Sequence, residues 1–257
     1  MLELQNISKI YSPGQVSETC LFRDFSLCIH DGDFVSVVGS NGSGKTSLLN
    51  IICGTVPIDS GKILLDGQDF GHMKEYQRYR QIGRVYQNPS MGSCPDLTIA
   101  ENMALAENKG NRFGFHAGVN RKQLASYKEQ LVTLGLGLED KLDVKVGSLS
   151  GGQRQAMSLL MATMTPIRFL ILDEHTAALD PKTAELIMRL TDEIVRRKKL
   201  TAIMVTHNLR YAVEYGNRML MFHKGEIVLE KAADEKKRTT VDDLLALFNA
   251  ISVECGN

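Results

Sequence analysis

The sequence predicts an α/β fold: a sheet core with helices on both faces, antiparallel strands at its opening, and a mostly helical lobe inserted over about 88–165. Three observations carry this. An apolar run, Phe34 to Val38, stops at Gly39 and gives way to a glycine-rich loop and a short helix. A fully apolar strand (Phe169 to Leu172), a helix (Pro181 to about Lys199) and a second buried strand (Thr201 to Val205) then follow one another, the alternation of an α/β sheet. Between these blocks the apolar residues recur at helical spacing. One domain over 1–257 is expected, with 1–87 and 166–257 as its core.

Taken in order, Leu2 to Ile7 alternates apolar and polar and reads as a strand, and Cys20 to Ile29 as another. His30 to Asp33 turns the chain into the loop strand. Thr46 to Cys53 is a helix stopped by Gly54, Pro57 to Gly61 a turn, Lys62 to Leu65 a strand, and Asp66-Gly67 a tight turn. Ile82 to Tyr86 is a brief strand. Helix then dominates from about Thr98 to Leu134, broken at Gly110 to Gly118, where glycine is too frequent for a helix. Leu149 to Gln153 opens a helix that runs to about Thr163 before Pro166. After Val205, strands are expected at Arg218 to Phe222 and Glu226 to Glu230. The tail, Val241 to Ile251, is an amphipathic helix with Val241, Leu244, Leu245, Phe248 and Ile251 on one face.

Composition narrows the function classes. Lysine plus arginine equals aspartate plus glutamate, 30 each, so no charge excess points to nucleic acid or a membrane surface. The basic runs Arg196 to Lys199 and Lys236 to Arg238 are expected to face solvent. Five scattered cysteines without a CxxC pair suit a reducing compartment and no zinc site. Nothing at the start reads as a signal peptide, and no window nears 18 consecutive apolar residues, so a membrane role would need a partner.

The chemistry starts at Gly39-Ser40-Asn41-Gly42-Ser43-Gly44-Lys45-Thr46-Ser47, where the spacing G-x-x-x-x-G-K-T completes a phosphate-binding loop. Inward-facing amides and a helix start receive a triphosphate, Lys45 reaches its β and γ phosphates, and Thr46 offers a hydroxyl to Mg²⁺. Hydrolysis needs a second metal-holding carboxylate and a group to aim water. Asp173 (through water) and Glu174, at the end of the apolar strand, supply both. His207, just after Val205, is placed to bond a γ phosphate, and Gln87 follows another strand; taken alone, neither is more than an ordinary polar residue at a strand end. Ser150-Gly151-Gly152-Gln153 is a second glycine-rich turn into a helix. One chain using both turns on one nucleotide, or two copies sharing nucleotides, both satisfy it.

This ordered set closely resembles the ATP-binding subunit of an ABC transporter, along nearly the whole chain. Gly39 to Thr46 matches Walker A, Gln87 the Q-loop residue, Leu149 to Gln153 the signature, Leu170 to Glu174 Walker B, Ala178-Leu179-Asp180 the D-loop and His207 the switch histidine. The uninterrupted Leu-Ser-Gly-Gly-Gln makes the resemblance specific. It implies a P-loop NTPase core with an antiparallel β subdomain and an inserted helical lobe, and a head-to-tail homodimer enclosing two MgATP. Ser150 and Gly152 of one copy would then close over the γ phosphate held by Lys45 of the other. It also implies Tyr11 stacked on adenine, Gln87 as a further Mg²⁺ contact, and Asp180 joining the two sites. The Gln87 to Ser93 region would pass motion to an integral membrane permease, with a solute-binding protein in the complex and the subunit on the inner face of the cell membrane.

Two departures stand out. Lys45-Thr46-Ser47 replaces the commoner Lys-Ser-Thr and keeps the hydroxyl. His175 occupies a position where proline is usual, and is expected to alter loop stiffness or to titrate near neutral pH. The resemblance favours uptake of a small solute, an amino acid among the options, over an export-type subunit or a soluble relative in DNA repair or translation.

Overall fold

The computed structural model describes residues 1–15, 18–111, 114 and 118–254, the last three as backbone alone. They form two compact units, Met1–Arg78 with Lys199–Asn257, and Tyr79–Lys198. The lobe expected over 88–165 falls wholly inside the second. Of the Gly110 to Gly118 break, residues 112, 113 and 115–117 lie outside the described residues, as does Cys255; Cys20, Cys28, Cys53 and Cys94 are free thiols.

The chain opens with β1 (Leu2–Tyr11), longer than its alternation suggested, and β2 (Thr19–Ile29). β3 (Phe34–Gly39) is buried along its whole length and feeds α1 (Lys45–Cys53), which Gly54 stops in the left-handed conformation. β4 (Ser60–Leu65) begins inside the expected turn and pairs with a two-residue β5 (Gln68–Asp69) across Asp66-Gly67. Both turn residues have positive φ (52° and 75°), as a type I′ hairpin requires. α2 (Glu75–Arg78) was not foreseen. Its Arg78 is buried and donates to the carbonyls of Ile51, Ile52, Gly71 and Met73, closing the C-terminal end of α1 where helix carbonyls lack partners.

In the second unit β6 (Ile82–Val85) lies parallel to a strand further on, after α3 (Ile99–Glu107), α4 (Leu124–Val132) and α5 (Gly151–Ala162). α3 starts on a capping box, Thr98 with Glu101, the S/T-x-x-E pattern. The returning strand is β7 (Phe169–Asp173), and α6 (Pro181–Lys198) follows it.

The chain returns to the first unit with β8 (Thr201–Val205), α7 (Leu209–Glu214), β9 (Arg218–His223), β10 (Glu226–Ala232), α8 (Ala233–Arg238) and α9 (Val241–Glu254). β3 pairs in parallel with both β8 and β9, Val35 opposite Ile203 and Val37 opposite Leu220, while β10 returns antiparallel on β9. A second, antiparallel sheet runs β2-β1-β4-β5. Because β3 is enclosed on both sides, its C-terminal end is a fixed platform for the loop that follows.

Two expectations fail in the tail. Lys236 is buried, not solvent-facing: its ammonium donates to the carbonyls of Val213 and Tyr215, both at 2.8 Å, at the end of α7. The apolar face of α9 is Leu244, Leu247, Phe248 and Ile251, against Val38, Ala212, Met219 and Met221, whereas Leu245 is exposed. Spacings of three and four residues put 247, 248 and 251 over 244, and 245 points away.

Candidate functional site

In the first unit the phosphate loop leaves β3 at Gly39. A Cβ there would stand 2.3 Å from the Phe222 carbonyl oxygen and 2.8 Å from Ser43 Oγ, so only glycine fits. Lys45 is buried, and its ammonium donates to the carbonyls of Gly39 and Ser40 at 2.7 and 2.8 Å, holding the loop closed on itself. Ser43 Oγ is buried without a hydrogen-bond partner among the described residues, and no side chain caps the start of α1. Thr46 is exposed beside them.

A buried hydroxyl without a partner and helix-start amides without a side-chain cap are what a polyphosphate would satisfy. The residues present therefore fit a nucleoside triphosphate. Mg²⁺ in such sites is bound by one or two carboxylates, a hydroxyl and substrate oxygens. Thr46 and Asp173 have that chemistry, and no three His, Cys, Asp or Glu side chains cluster as a metal site among the described residues.

Tyr11 ends β1 as an exposed residue, its hydroxyl 3.3 Å from Ser47 Oγ and the Lys9 ammonium 5.6 Å from the ring centroid. That open ring is available for stacking. His207 is exposed one residue past the Thr206 amide, which bonds the Val37 carbonyl of β3, so the β3–β8 pairing brings His207 and the loop to the same strand ends. Asn208 then caps α7.

The second unit carries the remaining groups. Asp173 ends β7, and its carboxylate is paired with Arg84 of β6 at 2.8 Å. Glu174, half-buried, has φ +47°, sparsely populated for a residue with a side chain; its carbonyl accepts from Ala177 N at 2.9 Å, which fastens the turn. Gln87 is exposed where β6 has ended. Ser150 and Gln153 form a reciprocal capping box, each side chain accepting from the other's amide at 3.2 Å. Leu149 is buried beneath it, and Gly151 lies against Leu179. A Cβ on Gly152 would stand 2.3 Å from Thr183 Cγ2. Asp180 in turn accepts from Thr183, hydroxyl and amide both, which holds its carboxyl below the ordinary range.

Of the two expectations for His175, titration near neutral pH fails. It is buried, its Nε2 3.1 Å from Thr191 Oγ1, and burial pulls its pKa down to about 4. The Thr191 hydroxyl donates to the Ile187 carbonyl, so the imidazole is neutral and donates to Thr191. It does not titrate near neutral pH.

Arg84 was missed by the sequence reading. The signal was available: an arginine inside the short apolar strand Ile82-Gly-Arg-Val must find an anion once the strand is buried.

A sequence model of the ABC transporter family matches residues 22–177. A tyrosine transport ATP-binding protein of Clostridioides difficile is 45% identical over 96% of this chain and 98% of its own length. A macrolide export ATP-binding/permease protein of Salmonella typhimurium is 33% identical over 93% of this chain, which spans 35% of that protein. Import and export proteins both stand among the relatives. A solved ATP-binding cassette, a dimer in a post-hydrolysis state bound to ADP and phosphate, superposes with TM-score 0.76 at 29% identity, covering 90% of this chain and 98% of that one. The architecture expected from the sequence, a P-loop core with an antiparallel β sheet and a helical lobe, is the one these cassettes share.

Proposed function

From the premise that the chain belongs to the ABC transporter family, as its ATP-binding and ATP-hydrolysing part, we propose that it powers passage of a small solute through a separate membrane permease. The observation that carries the nucleotide reading is the cradle of Gly39 to Ser47, with a buried lysine, an orphaned serine hydroxyl and an uncapped helix start.

In this proposal the Gly39 to Ser47 amides and Lys45 bind the phosphates, and Tyr11 stacks on the base. Thr46, Gln87 and, through water, Asp173 hold Mg²⁺, which supplies charge neutralisation on the phosphate oxygens. Glu174 polarises the attacking water, and His207 bonds the γ phosphate. A second copy contributes Ser150 to Gln153 in trans, with Asp180 linking the two sites; the dimeric solved cassette supports this arrangement. Glu174→Gln is expected to keep ATP binding, lose hydrolysis about 10³-fold and hold a closed dimer. A variant that stays monomeric in light scattering at saturating MgATP overturns the dimer.

For the solute, we favour uptake of an aromatic amino acid, supported by the end-to-end relative assigned to tyrosine transport. No helix among the described residues is long and apolar enough to cross a membrane; in this proposal the protein sits on the inner membrane face, against its permease. A mild-detergent pull-down from native membranes is expected to bring a multi-span permease and a solute-binding protein, with ATP turnover raised by tyrosine. Turnover raised by solute without any binding protein would favour export, which the macrolide relative supports.

A further inference from the structure

Parallel pairing sets Arg84 of β6 opposite Ile171 of β7, and the two-residue alternation of a strand returns to the same face at Tyr86 and Asp173. The Arg84 side chain is 6% exposed and donates from Nη2 to Asp173 Oδ2 at 2.8 Å; the Asp173 side chain is 13% exposed. The guanidinium carbon lies 4.7 Å from the Tyr86 ring centroid. Tyr86 is itself held: its carbonyl accepts from Gln155 of α5 at 3.0 Å, and its hydroxyl is 3.2 Å from that of Tyr79. Arg84 thus ties the strand-end carboxylate to the residue before Gln87 and, through Tyr86, to the helix that begins at the Ser150 turn.

We propose that Arg84 is a positioning residue of the divalent-cation site. Its Nη2 donates to Oδ2 and so restrains how the carboxylate can turn, while no described side chain or amide bonds Oδ1, the oxygen left for a cation's water. A carboxylate this buried, without its partner, would rotate toward whatever donor remains and lose that orientation; partners of this kind are worth about 10–100-fold in metal affinity. Arg84 also lines a groove of about 460 Å³ with Tyr79, Tyr86, Met91 and Leu105. An element seated there meets the guanidinium, so the same residue connects groove and carboxylate. The inference rests on Asp173 being the carboxylate that holds Mg²⁺.

The test is Mn²⁺ binding to the full-length protein with a saturating non-hydrolysable ATP analogue, read by electron paramagnetic resonance. Nucleotide affinity in EDTA and melting temperature are measured beside it. Arg84→Met is expected to weaken Mn²⁺ binding at least about 10-fold with affinity in EDTA unchanged. Arg84→Lys keeps the charge on a shorter-reaching ammonium without the guanidinium plane that lies against Tyr86, should fold where methionine does not, and is expected to fall between wild type and Arg84→Met. Wild-type Mn²⁺ affinity in either folded variant overturns the proposal and leaves a structural ion pair. Asp173→Asn is the control. If it weakens Mn²⁺ binding while the Arg84 variants do not, the role of Arg84 falls alone; if it has no effect, the metal reading of Asp173 falls and takes this proposal with it.

Discussion

In the first unit the phosphate-facing groups are contiguous, Gly39 to Ser47, and backbone geometry holds them: a glycine pressed on the Phe222 carbonyl, a lysine folded onto two carbonyls, a helix start without a side-chain cap. In the second unit Ser150, Asp173 and Asp180 are spread along the chain, and side chains hold them: a reciprocal Ser150–Gln153 cap, an ion pair to Arg84, and Thr183 bonded to Asp180. A site made by backbone is open to a ligand here because the Ser43 hydroxyl has no partner among the described residues and no side chain caps the helix start. A site made by side chains already has its groups in part engaged with one another, so changing it means exchanging one partner for another. The first arrangement suits capture of a phosphate chain. The second suits a response to something arriving.

The largest test of this contrast is Lys45→Ala. ATP affinity by calorimetry is expected to fall about 100-fold or more, roughly 3 kcal/mol, and an unchanged value would mean that the backbone cradle suffices alone. Next comes His175, whose buried neutral imidazole makes the second unit sensitive to acid. As pH drops below 6.5 the unfolded chain gains a proton on this group that the folded chain does not accept until about pH 4. The stability present above pH 6.5 is therefore lost toward pH 4, by up to about 3 kcal/mol. Urea unfolding at pH 7, 6 and 5 should show a flatter profile for His175→Ala than for the wild type; equal slopes would remove the histidine as the cause.

The smallest effect expected is at Gly152→Ala. The new methyl meets Thr183 Cγ2, and Thr183 cannot turn aside without giving up its hydroxyl bond to Asp180. A loss of about 1–3 kcal/mol should follow, and Thr183→Ser, which keeps the hydroxyl and removes the clashing methyl, should restore at least half of it. Additive effects in this double-mutant cycle would show that the signature turn and Asp180 are independent.

By itself the sequence determined the alternation of strands and helices, the position of the loop at Gly39 and the ends of α1, α5, α6 and β7. Each of these depends on neighbours within a few residues: a cap, a glycine stop, a proline in the first turn. The short elements α2, α7 and α8 carry too little periodicity to be seen; Arg78 and Lys236 fasten their surroundings to distant carbonyls, while Asn208 caps α7 locally. Lys236 itself looked like surface because a basic run normally is. Only the tertiary structure supplied the buried carbonyls of Val213 and Tyr215 that hold it. The same holds for His175, where a motif position suggested a titrating group and full desolvation made it neutral, and for Arg84, whose partner lies 89 residues away in sequence. Desolvation and long-range pairing depend on what the rest of the chain places nearby, and no local pattern encodes that.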